Sequence, residues 1–281
     1  MKTILIIIGG MADRPDIELD GRTPLMAAST PSLDALAKCG CCGLINNVPD
    51  NESPTLKTAV LSLMGYDFSR GVPSDRTLSF FSAGLPFNPS EMRFFVIPKF
   101  SGHGVVVSDD PVVRGIGMMA MLRPLFPMGE GVVVSGGAPT GTLRDKALLA
   151  IKAIEIYDFV MVYVGEAFEM SLNGDVEGKM DVLERIDREL ITPVADYVWN
   201  ARLQMNLVVT GDLVTSWRDR ATARGEVPAV VYFNDDLPYD MKAFDEKTVA
   251  EGPLNAPLPG DLMRLLASFE PFDDEKGKGG I

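Results

Sequence analysis

Ile4-Leu5-Ile6-Ile7-Ile8, closed by Gly9-Gly10, is the stretch on which the fold turns. Five aliphatic residues without alternation read as a strand buried on both faces, of the kind found inside a parallel sheet covered by helices. The run is too short for the core of a signal peptide, and the glycines end it. Segments of the same kind recur outward from it: Gly43 to Val48, Val105 to Val107, Val132 to Val134, Phe159 to Val164, Asn206 to Thr210 and Ala229 to Phe233. Helical patterns lie between them. Thr30-Pro31 offers an N-cap with proline at the first helical position, and Gly40 offers the stop. Leu143, Ala147, Leu148, Ile151 and Ile154 fall on one helical face, and so do Val176, Met180, Leu183, Ile186 and Leu190. The acidic helix over 175–190 reads as a solvated face over the sheet. Pro193 predicts a break and a new helix, with Thr192 able to cap it. The alternation predicts an α/β fold with a mostly parallel sheet sandwiched by helices.

Composition narrows the function classes. The chain has 281 residues, 46% of them apolar and 23% charged, which is ample for a globular core. With 26 basic against 39 acidic residues, its charge of -13 argues against nucleic acid and against anionic membranes as partners. No apolar stretch approaches the roughly 18 residues of a membrane span, so the expected location is the cytoplasm. Cys39, Cys41 and Cys42 cluster too tightly for a disulfide framework and lack a second cluster for zinc, and read as buried or half-buried thiols. The single histidine, His103, excludes any mechanism built on several imidazoles. It reads as a loop residue facing solvent or a backbone carbonyl.

In open parallel sheets ligands sit at the carboxyl ends of the strands. This directs attention to Gly9-Gly10, the 49–58 loop, Ser135 to Gly141, Gly165 to Gly174 and Gly211 to Ser216. Ser135 to Gly141 joins a strand to a helix and lacks the Gly-Lys-Ser/Thr of a P-loop, so it reads as a plain turn. Residues 68–103 carry Pro73, Pro86, Pro89 and Pro98, several aromatics and little periodicity. Phe80-Phe81 and Phe94-Phe95 there suit either an interface or local packing. Asp273 to Ile281 reads as a frayed tail.

At these loops the sequence resembles a known family. Ile7-Ile8-Gly9-Gly10-Met11-Ala12-Asp13-Arg14-Pro15, Gly21-Arg22-Thr23-Pro24-Leu25 and Thr30-Pro31-Ser32-Leu33-Asp34 are similar to the N-terminal signature of archaeal-type cofactor-independent phosphoglycerate mutases of the alkaline phosphatase superfamily. The likeness continues in Leu61 to Asp67, Gly104 to Pro111, Tyr157 to Val160, Asn173 to Lys179 and Gly260 to Met263. It implies an alkaline phosphatase-like core over 1–67 and 104–272, one discontinuous domain. The family's substrate-clasping cap would then be reduced to a remnant or linker over 68–103, with a tail at 273–281.

The resemblance also implies a chemistry from which this chain departs. The family's metal aspartate after the first strand falls on Gly9, and its nucleophile on Leu56, with Thr55 and Thr58 the nearest hydroxyls. The adjoining acid becomes Lys57, a family asparagine becomes Val60, and a histidine becomes Tyr163. The next metal aspartate and histidine become Phe168 and Leu172; Asp212 survives, but Leu213 replaces its histidine partner, and the last histidine falls near Thr222. Two-metal phosphoryl transfer needs carboxylates and imidazoles around cations about 4 Å apart. The expectation is therefore a catalytically degenerate homologue with no metal or other cofactor. It would bind a small phosphorylated ligand or a protein partner, or associate with itself. Gly9, Gly10, Arg14 and Lys57 are the candidate ligand-binding residues, with Lys57 and Arg14 as a cationic patch; Thr55, Lys57 and Asp212 are the weak catalytic candidates. The alternative is an active Mn-, Mg- or Zn-dependent mutase, or a metal-free activity drawing on Glu166, Glu169 and Asp13 as well.

Overall fold

The structure, a computed structural model, describes residues 2–83, 103–126, 141–233, 241–254, 256 and 258–268. The expected strand Val132 to Val134, the loop 135–140, Phe94-Phe95 and the tail from Asp273 lie outside the described residues.

Strand β1 (Lys2–Ile8) sits at the centre of a seven-stranded sheet, as its unbroken apolar run predicts. With β2 (Cys41–Asn46), β3 (Gly104–Val107), β4 (Arg123–Leu125), β5 (Phe159–Val164), β6 (Met205–Gly211) and β9 (Glu226–Phe233), the order is β2-β9-β6-β1-β5-β3-β4. β1 pairs in parallel with β5 and β6, whereas β9 runs antiparallel to both β6 and β2. A two-stranded ribbon, β7 (Val214–Ser216) with β8 (Ala221–Ala223), follows β6. The second strand runs from Cys41 to Asn46 and not from Gly43 to Val48, because its pairing with β9 starts at Cys41 opposite Val231 and ends at Asn46 opposite Glu226.

Period two along β1 divides the core into two layers. Ile4, Ile6 and Ile8 face one side with α2 (Pro31–Cys39), α6 (Leu143–Ile156), α8 (Val176–Ile186) and α9 (Thr192–Trp199). Leu5 and Ile7 face the other, with α3 (Leu56–Leu63), α4 (Asp75–Ser82), α5 (Pro111–Met119) and α10 (Asp261–Ser268). α1 (Pro24–Ala27) and α7 (Glu166–Asn173) complete the described helices.

Three local expectations need correction. Thr30 precedes α2 but its side chain caps nothing; the carboxylate of Asp187, from across the fold, accepts from Ser32 N at 3.1 Å and Leu33 N at 2.8 Å. No break precedes Pro193. α8 continues through a π turn at Asp187–Ile191 into α9, which accommodates the amide that proline lacks. Thr192 accordingly does not cap a helix start, and its hydroxyl instead donates to Asp187 O at 2.9 Å. Within 68–103, where little periodicity is visible, Ser74 caps α4 and buries Leu78 against α5, where a Cβ on Gly115 would lie 2.9 Å from Leu78 Cα.

Candidate functional site

The carboxyl ends of β3 and β5 and the N-termini of α3, α5 and α7 surround a cleft of about 520 Å³. Its lining includes Leu56, Tyr163, Phe168 and Leu172 together with Asp109, Asp110, Glu166, Glu169 and Lys146. The cleft therefore lies where the parallel topology predicts, and Leu56, Tyr163, Phe168 and Leu172 are among the residues that line it.

Gly9 and Tyr163 fit together. Ile7 pairs with Tyr163 across the parallel ladder, so Gly9, two residues on, shares that face of the sheet. The ring of Tyr163 fills the space: a Cβ on Gly9 would lie 2.8 Å from Tyr163 Cζ, and one on Gly165 would lie 3.1 Å from its Cε1. Gly10 has φ +73° and lets the backbone at Phe168 approach closely. Burial, reinforced by the facing carboxylates of Asp212, Asp110 and Glu166, holds the Tyr163 phenol well above its ordinary pKa. Asp212 is fully buried, with Oδ1 accepting from Gly10 N at 3.0 Å and Leu213 N at 2.7 Å. Its Oδ2 has no hydrogen-bond partner among the described residues, and burial pushes the carboxyl up to about 6.

The remaining sequence candidates are committed elsewhere. Thr55 and Thr58 form a reciprocal capping box on α3, and Thr58 also donates to Ser53 O at 2.6 Å, so both hydroxyls flanking Leu56 hold the loop. Arg224 grips the same loop through the carbonyls of Val48, Pro49, Asp50 and Glu52, and Thr222 donates to Pro54 O at 2.6 Å. Lys57 turns to Asp75, 2.8 Å away, and Arg14 is exposed; neither lines the cleft, and no cationic patch links them there. Val60 and Leu213 are buried in the core. Asp13 accepts from Lys179 Nζ at 2.7 Å and from Trp217 N at 3.1 Å, beside Glu246, which accepts from Asp13 N at 3.1 Å and Thr23 Oγ1 at 2.7 Å. Burial pulls the Lys179 ammonium below its usual value, against the opposing pull of Asp13.

His103 does face solvent, but its partner is a carboxylate, Asp158 Oδ2 at 2.8 Å from Nδ1, and not a backbone carbonyl. None of the three cysteines is in a disulfide, as expected, and burial pushes Cys42 up to about 12.

One charged cluster at the cleft escaped sequence reasoning. Lys146 Nζ lies 2.7 Å from Asp109 Oδ2 and 3.6 Å from Glu166 Oε1, with only 3% of its side chain exposed. Behind the Asp109 loop, Arg114 Nη1 donates to Ser108 O at 3.0 Å and Asp109 O at 2.7 Å. The available signal was a lysine on the apolar stripe of α6, between Leu143 and Ala150, both buried. Among the described residues no three His, Cys, Asp or Glu side chains are grouped to hold a metal ion, and no helix is long and apolar enough to cross a membrane.

Comparison with known proteins bears on the family and the fold. A 94-residue segment, 33% of this chain, is 43% identical to 2,3-bisphosphoglycerate-independent phosphoglycerate mutase of Methanopyrus kandleri, and spans 22% of that protein. The PH0037 protein of Pyrococcus horikoshii superposes with TM-score 0.81 at 21% identity, over 96% of this chain and 98% of that one. The cofactor-independent phosphoglycerate mutase of Thermoplasma acidophilum does so with TM-score 0.67 at 17% identity, over 95% and 99% of the two chains. These structural likenesses establish the fold, an α/β sandwich of the type that the resemblance implies. The family model that describes the metalloenzyme superfamily matches residues 1–256, and the chain belongs to that superfamily.

Proposed function

We propose that this chain is a non-catalytic, cytoplasmic member of its superfamily, in which the strand-end cleft binds a small molecule and performs no two-metal phosphoryl transfer. The observation that carries this reading is the fit of Tyr163 against Gly9, since the ring takes up the room that an aspartate side chain at position 9 would need. As a donor set, the positions that the resemblance assigns to metal ligands do not fit a pair of divalent cations. Phe168, Leu172 and Leu213 offer no lone pair, and the Tyr163 phenol is held protonated. Asp212 alone cannot hold a dinuclear centre, and its Oδ1 is occupied by two backbone amides. At the nucleophile position Leu56 has no hydroxyl, and the two neighbouring threonines are tied into the α3 cap. Cysteines without a disulfide suit a reducing compartment.

A phosphorylated ligand gains little support from the cleft, because Lys57 and Arg14 do not line it and Lys146 is already bridged to two carboxylates. The test is turnover of 2-phosphoglycerate and 3-phosphoglycerate by the purified chain, with elemental analysis of the same sample. The expected result is no stoichiometric Mn, Mg or Zn and no interconversion. Stoichiometric metal with turnover that EDTA abolishes would contradict the reading and establish the alternative, an active mutase.

A further inference from the structure

We propose a second binding site at the opposite end of the sheet from the cleft, for an organic carboxylate carried on a hydrocarbon body. Gly104 and Arg123, the first residues of β3 and β4, border a cavity of about 390 Å³. Phe81, Met118, Met121 and Leu122 give it an apolar lining, and no acidic side chain is among the described residues that line it. Gly104 brings no side chain, and Leu122 Cδ2 stands 2.7 Å from where its Cβ would be. The polar groups are the Arg123 guanidinium and the Tyr157 hydroxyl, which accepts from Arg123 Nη1 at 3.3 Å. Tyr157 is held from other directions too: its carbonyl accepts from Lys2 Nζ at 3.0 Å, and the His103 ring lies 5.7 Å from its own. An apolar lining with a few fixed polar groups is the general character of a small-molecule site.

Charge selects the ligand. Arg123 makes no ion pair with any described residue, in a chain whose net charge is -13. The acid that follows Tyr157, Asp158, is turned to His103 Nδ1 at 2.8 Å and Lys2 Nζ at 3.8 Å. With Nη1 on Tyr157, the guanidinium keeps Nε and Nη2 for the two parallel hydrogen bonds that a carboxylate accepts. The Tyr157 hydroxyl accepts from Arg123, so its own proton is left to donate. One guanidinium balances one carboxylate, whereas a phosphate would bring further charge with no second cation in the lining to meet it.

The backbone gives an independent sign. α5 ends in a Schellman turn, with Leu122 N donating to Gly117 O at 2.9 Å and Met121 at φ +64°. Glycine is the ordinary residue in that left-handed position, and a side chain there costs stability. Met121 nevertheless carries a side chain there, 51% exposed and beside the cavity. A flexible thioether so placed adds little to the core and suits a surface that adapts to an apolar ligand.

The test titrates the full chain by calorimetry with hydrocinnamate, with phenethylamine as the same body under the opposite charge, and with inorganic phosphate as an anion without the body. Hydrocinnamate is expected to saturate one site with an affinity that falls as salt is raised. Phenethylamine and phosphate are expected to give no heat that Arg123→Gln removes. Arg123→Gln should weaken hydrocinnamate binding about tenfold. Met121→Gly should weaken it about threefold while the thermal midpoint holds or rises, because glycine relieves the turn that methionine strains. Neither residue lines the strand-end cleft, so hydrocinnamate lodged there would appear as binding indifferent to both substitutions. That result, no saturable hydrocinnamate binding, or tighter binding of phosphate or phenethylamine that Arg123→Gln abolishes would overturn the proposal.

Discussion

Asp13 and Asp212 are buried in adjoining strand-end loops, and the fold treats them in opposite ways. Asp13 has 2% of its side chain exposed and meets Lys179, Trp217 N and its neighbour Arg14 N, so its charge is balanced and its oxygens are used. Asp212 is just as buried, yet Oδ2 has no partner among the described residues and no cation touches the carboxylate. A charge that serves architecture keeps its counter-ion within the chain. Asp212 has no counter-ion in contact among the described residues, and only the more distant Lys179 and the backbone amides oppose the effect of burial.

The sharpest way to break this contrast is to remove a partner from the balanced side. Lys179→Met should cost about 3–5 kcal/mol in chemical denaturation, because it leaves Asp13 charged and buried without a cation. The double variant Lys179→Met, Asp13→Asn should recover part of that loss. On the other side the sign reverses. Asp212 has a folded-state value of about 6 against 3.8 in the unfolded chain, so the native state binds its proton more tightly. Its contribution to stability therefore falls as pH rises from 3.8 to 6 and stays at its full cost above that. Asp212→Asn, which keeps the acceptor for Gly10 N and Leu213 N, should stabilise the protein by up to about 3 kcal/mol at pH 8. The gain should vanish in the same denaturation measurement near pH 4.

A smaller effect is expected from restoring the missing side chain. Gly9→Asp should cost roughly 1–3 kcal/mol by overpacking against Tyr163, with a lowered thermal midpoint as the readout. Tyr163→His in the same chain should return part of it by opening the space. The smallest change is Thr55→Ala, which removes a helix cap and should cost about 1 kcal/mol.

The sheet was legible because aliphatic runs such as Ile4 to Ile8 carry their own evidence of two-sided burial, and the strand ends located the cleft without further help. Leu56, Phe168 and Leu172 line that cleft, and the sequence singled them out only through the resemblance, not through any local pattern. What was not legible depended on side chains far apart in the sequence. Asp187 caps α2 from more than 150 residues away, with bonds to Ser32 and Leu33 that no local pattern announces. The Lys146 cluster needs β3, α6 and α7 to be brought together before its acids and its ammonium meet. Lys57 looked like a cation for a ligand, and only the appearance of α4, with Asp75 at its start, shows where that charge goes. Gly9 read equally well as room for a ligand or as room for packing, and the choice between them needed the position of the Tyr163 ring.

The most direct test of the central claim is a Mn²⁺ titration of the EDTA-treated chain, followed by electron paramagnetic resonance of the free ion. If Tyr163 occupies the corner where a metal centre would stand, free Mn²⁺ should rise in proportion to the amount added, with no saturable micromolar site. Uptake of two Mn²⁺ per chain before free ion appears would contradict the account.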